Sequence, residues 1–128
     1  MVYLVFMEYL YLIRGKVRSG AKRGKSLGFP TANILLHQKI PEGIYASIVT
    51  IKEKAYYAAT FIGGAKTFDE KVAKCESYIL DFKQEIYGEW ISVKLLKKLR
   101  NNKKFSSVKL LIKQIKKDIL NTRKFFRK

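Results

Sequence analysis

Four apolar runs of strand length, Ile44 to Ile51, Ala55 to Ile62, Cys75 to Phe82 and Trp90 to Leu99, follow one another with little between them but glycine and charged clusters. They are rich in β-branched and aromatic residues, and the last alternates at its start, Trp90, Ser92 and Lys94 against Ile91, Val93 and Leu95. No stretch of helical period separates them, which excludes the strand–helix–strand crossovers of a parallel sheet. The opening run, Met1 to Ile13 and on through Val17 to Gly20, has the same strand-forming composition. Five or six strands without intervening helices predict a closed or nearly closed antiparallel barrel. From Ser106 the period changes. Val108, Leu111, Ile112, Ile115, Ile119 and Phe126 recur at helical spacing, with Lys109, Lys113, Lys116 and Lys117 largely elsewhere on the wheel. An amphipathic helix over residues 106–126 is expected, capped by Ser106 or Ser107.

The chain has 128 residues, 48% of them hydrophobic and 13% aromatic. That suffices for one core and excludes a disordered basic tail, so residues 1–128 are read as one domain, with 1–8 a leader or an extension of the first strand. The net charge is +17, unevenly spread: seven basic against one acidic residue in 1–40, five against five in 41–80, and fifteen against four in 81–128. Such a charge suits polyanions without choosing among nucleic acid, anionic membrane and phosphorylated small molecules. A single cysteine, Cys75, suits a reducing compartment, and the apolar opening run is interrupted by Glu8 and too short to span a membrane. A cytoplasmic protein without membrane partners is expected.

The segment Ser19-Gly20-Ala21-Lys22-Arg23-Gly24-Lys25-Ser26 approaches the phosphate-binding pattern G-x-x-x-x-G-K-[ST] but has serine in the first glycine position, and Leu-Gly-Phe-Pro follows in place of a helix. That NTPase fold is rejected. What survives is a loop of glycines beside Lys22, Arg23 and Lys25, open to phosphate contact or to a plain solvated turn. After Pro30, Thr31 and Asn33 lie two apart, so in an extended chain their oxygens project to one side. Such oxygens can serve Mg²⁺ beside substrate phosphates, and the same residues beside proline also form turns. The residues leave both readings open, in what is otherwise an ordered loop.

The run Gly20-x-x-x-Gly24-Lys25-x-Leu27-Gly28-Phe29-Pro30-Thr31-Ala32-Asn33 resembles the signature of the riboflavin kinases. The likeness continues through Gly43-Ile44-Tyr45-Ala46, Ile62-Gly63, Thr67-Phe68, Glu76 with Ile79 to Phe82, Tyr87-Gly88, Leu99-Arg100, Lys104-Phe105-Ser106 and Gln114-Ile115 with Asp118. It spans about Tyr11 to Arg123. The resemblance implies a mostly β fold, a six-stranded antiparallel Greek-key β-barrel with a C-terminal amphipathic α-helix. It also implies an enzyme that transfers the ATP γ-phosphoryl group to the riboflavin 5′-hydroxyl, giving FMN, a kinase domain found as well at the C-terminus of bifunctional riboflavin kinase/FAD synthetases. Carried over residue by residue, Thr31 and Asn33 serve Mg²⁺ and ATP, Glu76 is the catalytic base, Gly20, Lys25 and Tyr87 contact the nucleotide, and Arg100 and Lys103 belong to the flap over the flavin. Three positions depart from the family: Lys25 for arginine, which loses the guanidinium fork, Lys66 for proline, and Glu85 for aspartate.

The implied chemistry suits the residues, because phosphoryl transfer is mostly positioning and charge stabilisation. Glu76, in an apolar run with Tyr78 and Leu80, is expected to face the barrel mouth. Cys75 is expected to be a packed thiol, His37 a surface loop residue, and Trp90 a barrel anchor with its N–H at the rim. The partners are ATP and riboflavin, with no specific nucleic acid, and the protein is expected to be a monomer. With no room in 128 residues for an adenylyltransferase half, the chain alone should stop at FMN. The alternative is a basic nucleic-acid-binding barrel without catalysis, which accounts for +17 but not for Pro30-Thr31-Ala32-Asn33 or Glu76.

Overall fold

Six strands follow in chain order, β1 (Tyr11–Lys16), β2 (Ala32–Leu36), β3 (Gly43–Ile51), β4 (Lys54–Gly63), β5 (Ala73–Ile79) and β6 (Trp90–Arg100), and then a helix, α1 (Val108–Phe126). The computed structural model describes residues 8–18, 28–64 and 73–127. The strands form one antiparallel sheet in the order β1-β6-β3-β4-β5-β2. Its two edges meet where the Arg18 amide donates to the Asn33 carbonyl at 2.8 Å, so the sheet curls into a nearly closed Greek-key barrel. Register shifts between β3 and β6, at Ile44/Tyr45 and Ala46/Ser47, add local twist.

The expected runs hold with shifted ends, and two expectations change. β5 stops at Ile79, two residues short of Asp81, which has φ 58°. Thr31 to Asn33, expected within a loop, leads into a strand: Ala32, Ile34 and Leu36 point into the barrel, and Ala32 to Leu36 pair with Ser77 to Ala73. Five residues are too few for alternation to announce them. The β3–β4 turn is Lys52-Glu53, both at positive φ, as a two-residue hairpin with strand-matching twist requires.

Alternation sorts the side chains. Tyr45, Val49, Ala58, Ile62, Val93 and Leu95 are among those filling the barrel. Inside it a row of hydroxyls crosses three strands: Ser47 Oγ donates to the Ala58 carbonyl (3.0 Å) and lies 2.5 Å from Thr60 Oγ1, which lies 2.8 Å from Ser77 Oγ. All three are buried, and each hydroxyl meets another, as burial of polar groups demands. Trp90, expected as a barrel anchor, is instead 68% exposed, because it opens β6 on the outward side of the alternation that buries Ile91. His37 is exposed, and Cys75 is buried with its thiol pushed up to about 12 by desolvation.

The helix packs across the outer face of β3, β4 and β6. Ser107 caps it, accepting the Leu110 amide at 3.2 Å. At its far end Phe126 stacks on Tyr57 with centroids 3.9 Å apart. Midway, Arg100 at the end of β6 donates twice to Asp118, Nε to Oδ1 and Nη2 to Oδ2, both at 2.7 Å.

Candidate active site

Where the barrel edges meet, a cavity of about 620 Å³ opens. Val17, Arg18 and the stretch Pro30 to Asn33 line one side, Ser77 and Ile79 of β5 the floor, and Phe82 to Tyr87 the far wall. Proline fixes the approach to β2, so Thr31 just outside the strand and Asn33 within it share a face, as extended geometry demands. Both are half-buried, and Asn33 Nδ2 donates to the Thr31 carbonyl at 3.4 Å, holding the carboxamide beside Thr31.

Glu76 stands on β5 directly opposite Asn33 in the β2–β5 register. Its position corrects the expected one. Cys75, Ser77 and Ile79 point into the barrel, so Glu76, with Lys74 and Tyr78, lies on the outer face and not at the barrel mouth. It does not line the 620 Å³ cavity, although its cross-strand neighbour Asn33 does. Burial nevertheless raises its pKa, with Lys74 pulling the other way. On the same face Tyr78 meets Phe29 edge-on, centroids 6.0 Å apart.

Tyr87 sits at the rim of the cavity, 64% exposed. Its turn is fixed from both sides: Gly88, at φ 85°, donates to the Val17 carbonyl (2.9 Å), Val17 donates to Glu89 (2.8 Å), and Glu85 Oε1 accepts the Tyr87 amide (2.9 Å). Gly20, Lys25 and Lys66 lie outside the described residues. Arg100 and Lys103 are not brought to the cavity. Arg100 is engaged: besides the two bonds to Asp118, its Nη1 donates to the Asn101 carbonyl at 2.8 Å. Lys103 is exposed on the connection between β6 and α1.

Among the described residues no three His, Cys, Asp or Glu side chains gather to hold a metal. A cation beside Thr31 and Asn33 would rest on neutral oxygens, water and whatever anionic oxygens arrive with a ligand, a set that fits Mg²⁺.

The flavokinase (riboflavin kinase) family model matches residues 7–126. The chain belongs to the riboflavin kinase family. A bifunctional riboflavin kinase/FMN adenylyltransferase of Listeria monocytogenes is 41% identical over 126 residues, covering 95% of this chain and 40% of that protein. A Bacillus subtilis protein called RNA-binding riboflavin kinase RibR is 37% identical over 111 residues, 84% of this chain and 48% of its own. The chain spans less than half the length of either relative. Among solved structures, a Streptococcus pneumoniae chain described as a macrolide-efflux protein superposes with a TM-score of 0.81 at 40% identity, covering 88% of this chain and 38% of that one. Riboflavin kinase from Trypanosoma brucei superposes at 0.65 with 28% identity, covering 91% of this chain and 80% of that one.

Within this riboflavin kinase fold, sequence reasoning missed the other walls of the cavity. Arg18 and Ser77 carry no motif, since one follows a strand and the other hides in an apolar run. The residues between Phe82 and the expected Tyr87 had a signal: a polar, aperiodic segment directly after a strand, of the kind that lines sites.

Proposed function

We propose that this chain is a riboflavin kinase that transfers the γ-phosphoryl group of Mg²⁺-bound ATP to the 5′-hydroxyl of riboflavin, giving FMN. The observation that carries this reading is the placement of Glu76 directly across from Asn33, with Thr31 beside it at the cavity wall, in a chain of this family. Thr31 and Asn33 offer neutral oxygens to the metal-bound nucleotide. Mg²⁺ held there would supply charge neutralisation to the phosphates during transfer. Glu76 orients the 5′-hydroxyl and takes its proton while the oxygen bonds to the γ-phosphorus, the bond to the β-phosphate oxygen breaks and ADP leaves. A carboxyl whose pKa is raised by burial is a stronger base than an ordinary one, which supports that assignment. Gly20, Lys25 and Tyr87 are assigned to the nucleotide. Lys103 is assigned to the flavin side, with Arg100 at the root of the same connection. A lone buried thiol supports a cytoplasmic location.

The test is direct. Purified protein incubated with riboflavin, ATP and Mg²⁺ should yield FMN, resolved by chromatography. Glu76→Gln should lower kcat by about 10² to 10⁴, and Thr31→Ala should raise KM for Mg²⁺-ATP. Absence of FMN from the wild type, or undiminished rates in both variants, would overturn the reading.

A further inference from the structure

The outward side of α1 carries one sign of charge. Asp118 is the only acidic residue of the helix, and it is turned inward to Arg100. At about 100° per residue, Lys109, Lys113, Lys116, Lys117, Leu120, Lys124 and Arg127 fall within an arc of about 100° that holds no other residue. All seven are exposed, and six are cations. Among the described residues none of the six pairs with a carboxylate. From Lys109 to Arg127 the ridge runs about 27 Å at the helical rise of about 1.5 Å per residue.

A helix face that merely keeps a protein in solution mixes glutamate with lysine at four-residue spacing, since opposite charges there stabilise and like charges repel. Here Lys109, Lys113 and Lys117 repel along successive turns with no acid to relieve them, so the ridge works against the helix that bears it. A bound polyanion removes that repulsion. The ridge also stands apart from the candidate active site, because α1 lies on β3, β4 and β6 while the cavity is lined by Val17, Arg18, residues 30–33, β5 and residues 82–87.

We propose that this ridge is a second binding surface that takes the phosphodiester backbone of nucleic acid without reading its sequence. The geometry favours a linear polyanion over a membrane. An interfacial helix must sink a broad apolar face among lipids, and the apolar stripe of α1, Leu111, Ile112, Ile115, Ile119 and Phe126, is half-buried on the side turned to the barrel, with Phe126 stacked on Tyr57. Leu120 is the single apolar residue of the ridge, at 47% exposure. Lysine ammonium groups contact phosphates as point charges and do not discriminate bases, so the surface is indifferent to sequence. This surface is independent of the kinase reading.

The experiment is fluorescence anisotropy of the full chain with labelled single-stranded RNA of mixed sequence, titrated between 50 and 200 mM NaCl. Binding at roughly micromolar Kd at low salt is expected, with log K falling against log salt at a slope of about −4 for six single-strand contacts. The double variant Lys113→Gln/Lys117→Gln should reduce the magnitude of that slope by more than 1 and weaken binding about tenfold or more at 50 mM, with helicity by circular dichroism and FMN formation unchanged. Arg14→Gln/Lys39→Gln, which removes the same charge from exposed positions off the strands that carry α1, should retain the wild-type slope. Failure to bind at 50 mM, equal losses in the two double variants, or tighter binding to vesicles containing phosphatidylserine than to RNA would each overturn the proposal.

Discussion

Glu76 illustrates how much depends on a neighbour on the adjacent strand and 43 positions away in sequence, Asn33. The residue type and the family likeness single it out, but its half-buried setting comes from β2 beside it and from Phe61 opposite on β4. That setting has a thermodynamic signature. Because burial raises the folded-state pKa above its unfolded value, the native state holds the proton more tightly. The residue's contribution therefore favours folding at low pH and is lost as pH rises through the window between the two pKa values. Glu76→Gln, which removes the buried charge, should raise the Tm at pH 8, and the gap should close as the pH falls below the ordinary carboxyl range. Thermal unfolding of both proteins from pH 4 to pH 8 checks it. The same shift should place the acidic limb of the kcat/KM profile above an ordinary glutamate pKa. Cys75 behaves as the sequence suggested, a small packed thiol. With its pKa pushed up to about 12, it should resist thiol reagents at pH 8 until denaturant is added.

At the scale of elements, α1 was readable from its period and its serine cap, whereas its mooring was not. Arg100 and Asp118 were both visible as family landmarks, yet their bidentate pairing joins residues 18 apart that only the docking of helix on barrel brings together. With side chains 19% and 9% exposed, the pair is largely out of water. Asp118→Ala strands the guanidinium and should cost about 3 kcal/mol in urea unfolding, whereas Arg100→Met/Asp118→Leu should recover most of that loss. Ser107→Ala should cost about 1 kcal/mol through the lost cap. β2 shows the opposite failure. Its residues read as loop because proline and glycine precede them and the strand is short. They become strand because β5 offers an open edge to pair with.

The whole molecule is a barrel whose seam coincides with its candidate site. Closing the sheet at Arg18 and Asn33 sets the two edge strands side by side, and the cavity is the gap beside that seam. A net charge of +17 on so small a body repels itself, so the Tm should rise as NaCl increases from 20 to 300 mM, as differential scanning calorimetry would measure. By itself the sequence determined the strand and helix periods, the family and the residues worth testing, because periodicity, composition and motif are properties of neighbours along the chain. Only the tertiary structure decided that Glu76 faces outward beside Asn33, that Arg100 is committed to Asp118, and that six helix cations line up on one exposed ridge. Those facts depend on register, on packing and on which face of each element the core claims, and these are settled by contacts between residues far apart in sequence.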